Sequence, residues 1–380
     1  MTIQSFDLDP ARIPLKHPFT TAIRTVTAVE SVQITLTSSD GVLGYGEAPA
    51  TAAITGETIP SIKEAVEGYI CPAIMGQAVE FDCGQIIQKA IYGNTSAKAA
   101  VEMAWQDLRA KKMNIPLYQL LGKHQKKLSN DITISAGDLD VMTKHAIAAI
   151  ADGFSVLKLK VGVFPATDAQ TIIRFWYNLK ESAHPKSEIK LRIDANQGWS
   201  TRQAISIIRT WEDNNIPIDL IEQPTPAWDL DGLAKVQSHT HFPIAADESV
   251  FSPIEALRCI QSRAASVINI KLMKTGGISS ALDICTLCRI YGVECMVGCM
   301  MEGQIGAAAA AHLATSQSIV TRIDIDSPLL CTPGFYTEGP TFCGSDILMS
   351  NCPGIGTMPK KLYSERSADV NASTQQAEKR

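Results

Sequence analysis

The sequence lacks the run of ~20 apolar residues that a membrane-spanning helix requires. Its longest such stretch, residues 305–314, is short and contains His312. An excess of basic residues is also missing, because 34 Lys and Arg face 39 Asp and Glu for a net charge of −5. That balance argues against nucleic acid or an anionic membrane as the main partner. The first residues include Asp7 and Asp9 and no apolar segment, so we expect no secretory signal and a cytoplasmic protein.

Disulfide bonds are not indicated, although the chain contains ten cysteines. Free thiols fit a reducing compartment. Cys285, Cys288, Cys295 and Cys299 form a C-x2-C…C-x3-C series whose spacing is similar to that of a zinc site. Because these cysteines fall in apolar helical and strand-like segments, we interpret them as buried thiols, with a zinc site as the alternative.

A phosphate-binding loop is not indicated either. The early glycines at 41, 44 and 46 lack an immediately following helix and a Gly-Lys-Thr sequence, so we interpret them as part of a hairpin. Its predicted strands are Val29–Thr37 and Val42–Glu47, joined by a turn at 38–41. Helical patterns follow at 59–69, 81–91 and 96–112. Strands followed by helices predict an α+β domain at the start of the chain.

The sequence does contain a periodic series of short apolar segments, each bounded by turn residues. Five of them recur every ~23–33 residues, about the length of one strand and one helix. They span residues 156–160, 191–196, 218–224, 244–248 and 267–271. Similar segments at 131–135, 294–298 and 322–326 raise the number to eight. This alternation predicts an α/β protein with a parallel barrel of the TIM type, and a doubly wound open sheet is the alternative.

The domain organisation follows from these patterns. We expect an α+β capping domain at 1–122 and a barrel at 123–327. The following sequence is rich in Gly and Pro and poor in strand patterns, and we expect residues up to about 363 (328–363) to complete the capping domain. The polar residues 364–380 are expected to form a disordered tail.

Three carboxylates follow successive predicted strands at Asp194, Glu222 and Asp247. The C-terminal ends of barrel strands meet at one face, so these side chains are expected to converge. Converging carboxylates repel one another unless they are protonated or share a cation. Oxygen ligands without His or Cys favour Mg2+, with Mn2+ as a second choice. Separate salt bridges at the barrel mouth are the alternative.

Three lysines lie at the same predicted face. Lys158 and Lys160 alternate with leucines and therefore point to one side of their strand, where each is expected to lower the pKa of the other. Lys271 ends a strand four positions further round the barrel, on the opposite wall. Two bases on opposite sides of a substrate carbon suit removal of a proton from one side and its return from the other. Ordinary salt-bridged or snorkelling lysines are the alternative.

These motifs resemble those of the enolase superfamily, in its muconate-lactonizing-enzyme subgroup. The shared motifs are Lys-x-Lys at 158–160, Asp-x-Asn at 194–196, Glu-Gln-Pro at 222–224, Asp-Glu-Ser at 247–249 and Asn-Ile-Lys at 269–271. Within the subgroup the chain is most similar to dipeptide epimerases, particularly L-Ala-D/L-Glu epimerases. That similarity extends from residue 3 to about 357 and includes segments 18–25, 46–49, 54–56, 96–102, 194–199, 246–251 and 269–274.

The resemblance implies a (β/α)7β modified TIM barrel closed by the α+β capping domain. It implies Mg2+-dependent inversion of the C-terminal residue of a dipeptide by 1,1-proton transfer through an enediolate. Lysine bases acting with Mg2+ are a known property of this superfamily. Lys160 and Lys271 would be the two bases, with Lys158 lowering the pKa of Lys160. Asn196 and Glu248 would hold the metal ligands in place.

The resemblance also implies how a dipeptide would bind. Asp324 and Asp326 match the acidic pair expected to bind its free ammonium group. Arg24 matches the residue expected to bind the side-chain carboxylate of a C-terminal Glu or Asp, and Thr133 is also assigned to substrate binding. Surface salt bridges are the alternative for the charged residues. One departure affects the expected specificity, since Glu302-Gly303-Gln304 stands where Glu-Thr-Lys is expected.

Other reactions of the subgroup share the same lysines and ligands. N-acylamino-acid racemisation, o-succinylbenzoate synthesis and cycloisomerisation therefore stay open, as does an epimerase for non-acidic dipeptides. Asp324 and Asp326 argue against the first three. A catalytically silent dipeptide-binding protein is the alternative outside enzymes, and retention of both Lys160 and Lys271 disfavours it. We expect a dipeptide as the partner. A homo-oligomer stays open as the assembly, and the resemblance suggests peptidoglycan recycling as the pathway.

Overall fold

The structure is a computed structural model that describes residues 1–21, 24–122, 127–182 and 188–360. The tail predicted to be disordered, at 364–380, lies outside the described residues. No helix in the described part of the chain combines the length and apolar character needed to span a bilayer.

The first domain begins with an antiparallel sheet in the order β1-β2-β3. Its strands are β1 (Ile3–Thr20), β2 (Thr25–Ser38) and β3 (Leu43–Pro49). The predicted hairpin between β2 and β3 is confirmed, and Gly41 occupies its turn with φ +82°. Strand β1 was not predicted. Most of its residues are exposed or half-buried, so it carries no clear apolar alternation.

Helices cover one face of this sheet. They are α1 (Ile59–Ala65), a π-helical turn (Val66–Ile70), α2 (Cys71–Ile74), α3 (Gly84–Lys89), α4 (Thr95–Lys112) and α5 (Leu117–Leu121). Helix α4 packs directly against β3 because Gly44 and Gly46 have no side chains. A Cβ on these glycines would come within 2.1 Å of Ala104 O and 1.9 Å of Ala100 O. The two glycines therefore permit close packing of a helix on a strand.

The second region is a parallel barrel, which confirms the predicted fold class. Its eight strands follow the chain order in one sheet, from β5 to β12. They are β5 (Ile132–Ile134), β6 (Val156–Lys160), β7 (Lys190–Asp194), β8 (Ile218–Glu222), β9 (Ile244–Ala246), β10 (Val267–Ile270), β11 (Glu294–Gly298) and β12 (Val320–Asp324). The apolar residues of these strands and of the surrounding helices form the main hydrophobic core.

At least one helix follows each strand of the barrel. These helices are α6 (Leu139–Ala151), α7 (Pro165–Ser182), α8 (Thr201–Asp213), α9 (Leu230–Gln237), α10 (Pro253–Gln261), α11 (Leu272–Thr275), α12 (Ile278–Tyr291), α13 (Gln304–Ser316) and α14 (Ser327–Leu330). Helix α8 shows how sequence specifies such an element. Ser200 and Gln203 form a reciprocal capping box at its start, and Ala204, Ile207 and Trp211 lie on its buried face.

The segment after the barrel contains more strand than its sequence suggested. The expectation of a strand-poor segment was wrong, because four short strands form there: β13 (Tyr336–Glu338), β14 (Thr341–Cys343), β15 (Asp346–Leu348) and β16 (Thr357–Pro359). With only three residues each, they fall below the length at which alternation is visible. Strand β15 pairs with β4 (Leu128–Ser129), just before the barrel. This segment also contacts the first domain, where Ile355 N donates to Asp107 Oδ1 at 2.7 Å.

All ten cysteines are free thiols. Cys285, Cys288 and Cys295 are fully buried among apolar side chains of α12 and β11. Within the described residues, no cysteine belongs to a group of three or more His, Cys, Asp or Glu side chains whose ligand atoms all lie within 4.8 Å of one another. These findings support the interpretation of buried thiols over that of a zinc site.

Candidate active site

The predicted charged residues lie at one level of the barrel. Strand pairing places Lys160 of β6 beside Asp194 of β7, and Asp194 beside Glu222 of β8. Asp247 directly follows β9, and Lys271 directly follows β10. All five side chains are at least nine-tenths buried. The parallel strands end together, so residues distant in sequence form one cluster.

The lysines contact the carboxylates directly. Lys160 Nζ lies 2.5 Å from Asp194 Oδ2, and Lys271 Nζ lies 2.6 Å from Asp247 Oδ2. Lys158 Nζ lies 2.6 Å from Glu222 Oε2 and 3.2 Å from Asp194 Oδ2. The structure thus brings together the three predicted metal ligands and the three predicted catalytic lysines.

These contacts shift the pKa values of the carboxyl groups in opposite directions. Burial raises the pKa of each, but the ammonium groups of Lys160 and Lys158 lower the pKa of Asp194 to about 2. Burial and the neighbouring charge of Asp194 raise the pKa of Glu222 to about 7. Burial, Asp247 and Asp194 raise the pKa of Glu248 to about 8. The ammonium groups therefore keep Asp194 ionised, but they do not keep all of the buried carboxyl groups in the cluster ionised.

The pKa values of Lys158 and Lys271 are governed by the same contacts. Burial alone lowers the pKa of Lys158, yet the carboxylates of Asp324, Glu222 and Asp194 raise it well above its ordinary value. The expectation of a lowered pKa for Lys158 was therefore wrong, because these carboxylates outweigh any neighbouring ammonium. The pKa of Lys271 is likewise raised, because Asp247 and Glu222 outweigh the effect of burial. An ammonium group in direct contact with carboxylates holds its proton more tightly.

Two residues expected to support the ligands lie beside them. Asn196 Nδ2 donates to Glu248 Oε1 at 3.2 Å, and Asn196 N donates to Asp194 Oδ1 at 2.9 Å. Asn196 adopts φ +40°, a left-handed conformation that is uncommon outside glycine and clusters at functional sites. Asn196 Oδ1 and Glu248 Oε2 are buried and have no hydrogen-bond partner within the described chain. Unpartnered oxygens beside several carboxylates fit a hard divalent cation.

A second acidic group lies against the first. It consists of Asp131, Asp324 and Asp326, whose carboxylate oxygens all lie within 4.8 Å of one another. The three predicted metal ligands, Asp194, Glu222 and Asp247, are spaced further apart. Lys158 contacts Asp324 Oδ2 at 2.6 Å, and Arg192 Nη1 contacts Asp131 Oδ2 at 2.8 Å. Lys158 therefore joins the two acidic groups, because its ammonium touches members of both.

The predicted substrate-binding residues line one cavity with the lysines. Arg24 and Thr133 face it together with the acidic pair and with Lys158, Lys160, Lys271 and Asn196. Burial lowers the pKa of the Arg24 guanidinium. Among the described residues, no carboxylate oxygen comes within 4.0 Å of its nitrogens. A half-buried guanidinium without an acidic partner suits an anionic ligand.

The departure at Gly303-Gln304 lies outside this cavity. Gln304 Nε2 donates to Glu338 O at 3.2 Å, towards the segment after the barrel. A Cβ on Gly303 would come 2.1 Å from Tyr336 Oη and 2.5 Å from Glu47 Oε1. The absence of a side chain at 303 is therefore required by the packing of Tyr336 and Glu47. Neither residue lines the cavity that contains Arg24.

Several site residues were missed by the sequence analysis. Lys274 is fully buried, and its Nζ lies 2.7 Å from Asp247 Oδ1. Asn269 Nδ2 donates to Glu222 Oε1 at 2.7 Å, and Gln223 Oε1 accepts from Asp247 N at 2.8 Å. Asn269 alternates with Lys271 on its strand, so that spacing could have indicated it. Lys274 follows in a short helix, where strand alternation does not apply.

The apolar lining was missed as well. It comes from the first domain and from the loop after β11. These residues are Phe19, Ile54, Cys299, Met300 and Met301. Nothing in the spacing of such residues distinguishes them from ordinary core.

The comparisons with known proteins agree with the predicted resemblance. Residues 6–122 match the mandelate racemase / muconate lactonizing enzyme N-terminal domain, and residues 141–362 match the enolase C-terminal domain-like family. The L-Ala-D/L-Glu epimerase of Clostridium acetobutylicum is 42% identical over 94% of this chain and 98% of its own length.

Two solved structures have closely similar folds. The Bacillus subtilis L-Ala-D/L-Glu epimerase with bound substrate has a TM-score of 0.91 at 42% identity and covers 94% of this chain and 99% of its own. A dipeptide epimerase from Enterococcus faecalis, complexed with Mg and L-Leu-L-Tyr, has a TM-score of 0.88 at 35% identity, with coverage of 94% and 99%. The chain belongs to the mandelate racemase/muconate lactonizing enzyme family of the enolase superfamily.

Proposed function

We propose that this protein is a metal-dependent dipeptide epimerase that inverts the C-terminal residue of its substrate, with L-Ala-D/L-Glu as the preferred dipeptide. The observation that carries the proposal is the placement of two lysines. Lys160 and Lys271 end strands four apart in an eight-stranded barrel, so they stand on opposite walls of one cavity. A ligand held between them would have an amine on each face of its α-carbon.

The donor set fits Mg2+, with Mn2+ as a second choice. Asp194, Glu222 and Asp247 would hold the ion, and Asn196 and Glu248 would keep these ligands in position. When bound, the ion would supply positive charge that stabilises an enediolate form of the substrate carboxylate. The unpartnered oxygens of Asn196 and Glu248 and the raised pKa of Glu222 support a cation in this cluster.

The lysines would move the proton. In one direction the neutral amine of Lys160 removes the α-proton, and the ammonium of Lys271 donates a proton to the opposite face. In the other direction the roles exchange, so each lysine serves one stereoisomer. The ammonium of Lys158 would stabilise negative charge that develops on the substrate. Burial of all three lysines limits solvent exchange during the transfer.

The two ends of a dipeptide would be bound by opposite charges. Asp324 and Asp326 would bind the N-terminal ammonium, with Thr133 beside them. Arg24 would bind the side-chain carboxylate of a C-terminal Glu. The lack of an acidic partner for Arg24 within the described chain supports this assignment. Binding of both ends of the dipeptide would hold its α-carbon between Lys160 and Lys271.

A second candidate is an epimerase for apolar dipeptides. It is favoured by the similarity to the enzyme complexed with L-Leu-L-Tyr and by the apolar Met300 and Met301 in the cavity. Arg24 argues for the acidic substrate, because burying an unpaired guanidinium is costly unless an anion binds it. The other subgroup reactions and the non-catalytic binding protein remain alternatives that the same experiment separates.

The deciding experiment is incubation of a dipeptide library with the enzyme and Mg2+ in D2O, followed by mass spectrometry. We expect deuterium at the α-carbon of the C-terminal residue, with L-Ala-L-Glu and L-Ala-D-Glu labelled fastest. Preferential labelling of apolar dipeptides would support the second candidate. Binding of a dipeptide without deuterium uptake would identify a binding protein, and labelling of N-acyl amino acids alone would identify a racemase.

The organisation and setting of the enzyme are further parts of the proposal. We retain the division into a capping domain (1–122 with about 328–363) and a barrel (123–327). We also retain a cytoplasmic location, which ten free thiols support, and a role in peptidoglycan recycling. A homo-oligomer is proposed as the assembly.

A further inference from the structure

The barrel has a seam between its first and last strands. Strands β5 and β12 stand at the two ends of the sheet order, and no backbone ladder joins them in the described chain. Side chains bridge the gap. Arg192 of β7 illustrates this, since its Nη1 donates both to Asp131 Oδ2 and to Ile323 O at 2.8 Å.

Asn130 makes the most complete bridge across this seam. Its Nδ2 donates to Ile325 O at 2.9 Å, and its Oδ1 accepts from Ile325 N at 2.8 Å. The side-chain amide thus satisfies both backbone groups of one residue, as a neighbouring strand would. Asn130 is 2% exposed, and its own N donates to Ser345 O at 2.7 Å. The bridge is therefore buried and anchored on both sides.

The bridged residue lies between the two predicted ammonium ligands. Ile325 is preceded by Asp324 and followed by Asp326, and it is fully buried. On one side Lys158 contacts Asp324 Oδ2 at 2.6 Å, and on the other Thr133 N donates to Asp326 Oδ2 at 2.7 Å. The direction of both carboxylates consequently depends on where the backbone of Ile325 is held.

We propose that Asn130 is a positioning residue that sets the specificity for a substrate ammonium group by fixing Asp324 and Asp326 across the open seam. This inference rests on the proposed function and deepens it. The role requires a group that donates and accepts at once. Alanine offers neither, and both Ile325 groups would be left unpaired in a buried place. Aspartate keeps the size and the acceptor but places an oxygen against Ile325 O.

The test compares a dipeptide with an analogue that lacks only the amine. L-Ala-L-Glu is the substrate, and N-propionyl-L-glutamate, which has the same shape, is added as the competing ligand. We expect Asn130→Ala to raise KM for L-Ala-L-Glu by roughly 10-fold or more, as expected for losing two buried hydrogen bonds. The inhibition constant of N-propionyl-L-glutamate should change less than about 3-fold on the same grounds, and kcat should change less than KM.

A matched control separates positioning from general stability. Gln317 Nε2 donates to Leu121 O at 2.9 Å, so Gln317→Ala also removes a bridging amide. Gln317 precedes β12 and Asp324 ends it, so this amide lies at the opposite end of the strand from the acidic pair. Its KM is expected to stay at the wild-type value. If Asn130→Ala folds poorly, Asn130→Asp provides the same test with a side chain of the same size, and thermal unfolding reports the folded fraction.

The outcomes distinguish this inference from the proposed function. If the wild type does not turn over L-Ala-L-Glu, the proposed function fails. If the wild type is active and both Asn130 variants keep its KM and its preference for the amine, the positioning role is wrong. Equal weakening of the substrate and the analogue also overturns it, because a merely structural change does not discriminate between them.

Discussion

Lys160 Nζ and Asp194 Oδ2 lie 2.5 Å apart, although the residues are 34 positions apart in the sequence. Strand pairing places them side by side on β6 and β7. A proposed base and a proposed metal ligand are thus in direct contact, and the charge of one affects the other. A change at either residue is expected to alter both proton transfer and cation binding.

Removal of the metal or of its ligands is expected to abolish activity. The three buried carboxylates would repel one another without a shared cation, and each would supply one of its ligands. Asp194→Asn, Glu222→Gln and Asp247→Asn should therefore each weaken cation binding and lower kcat/KM by roughly 1000-fold or more. Chelation of the wild type should do the same, and added Mg2+ should restore it. Exposed Asp213 provides the control, since Asp213→Asn should retain full activity. Undiminished turnover by thoroughly metal-free enzyme would contradict the ion-stabilised enediolate.

Each base is expected to serve one stereoisomer. Lys160→Ala and Lys271→Ala should both abolish epimerisation, because inversion needs an acceptor on one face and a donor on the other. In D2O each variant should still exchange the α-proton of the one isomer that faces its remaining lysine. The two variants should therefore show opposite preferences when deuterium uptake is followed by NMR.

The control for this pair is the exposed Lys144, whose change to Ala should leave both isomers exchanging. Interconversion by either base variant at a near wild-type rate would rule out two bases and require a single mobile one.

Arg24 is expected to determine the preference for acidic side chains. Arg24→Met should raise KM for L-Ala-L-Glu by roughly 100-fold, which is within the range for removing one charged partner of an ion pair. The KM for L-Ala-L-Leu should change little. Arg202→Met, at an exposed position, should affect neither substrate. An equal rise for both dipeptides would mean that Arg24 orders the loop and does not read the side chain.

His312 is expected to make stability depend on pH. Burial lowers its pKa from 6.5 to about 4, and its Nδ1 accepts from Tyr118 N at 3.1 Å. Above pH 6.5 the imidazole is neutral in both states and has no effect. As the pH falls from 6.5 to 4, only the unfolded chain takes up the proton, so the free energy of unfolding should fall by about 3 kcal/mol.

The contribution of His312 can be isolated by substitution. Urea unfolding of His312→Gln and of the wild type between pH 4 and 7 should show a smaller loss of stability in the variant. Other groups, such as Glu222 and Glu248 with their raised pKa values, titrate in both proteins and cancel in the comparison. Parallel pH dependences would show that His312 does not titrate differently on folding.

A side chain at Gly303 is expected to destabilise the protein. Gly303→Ala would place its Cβ against Tyr336 Oη and Glu47 Oε1, so we expect a loss of about 1–3 kcal/mol in the free energy of unfolding. Gly137 is the matched control, because a Cβ there meets no atom within 4 Å. If both alanine variants are equally stable in urea, the close packing around Gly303 is not energetically important.

The sequence by itself determined the barrel and most of its charged residues. Apolar strands of regular spacing must lie side by side, and parallel strands end at one face, so Asp194, Glu222 and Asp247 had to converge. Alternation also put Lys158 and Lys160 on the same side of β6. These inferences need only the period of a strand and the direction of the chain.

Only the tertiary structure decided which charges touch and how the seam is closed. The alternation that identifies Lys158 does not reveal that it joins Glu222 to Asp324, because that contact spans 166 residues. Strand β1 was missed because its residues are mostly exposed. Asn130 was missed because its proposed role depends on the lack of a backbone ladder between β5 and β12 in the described chain. Such features arise from packing between elements that are distant in the chain, and local patterns carry no information about distances across the barrel.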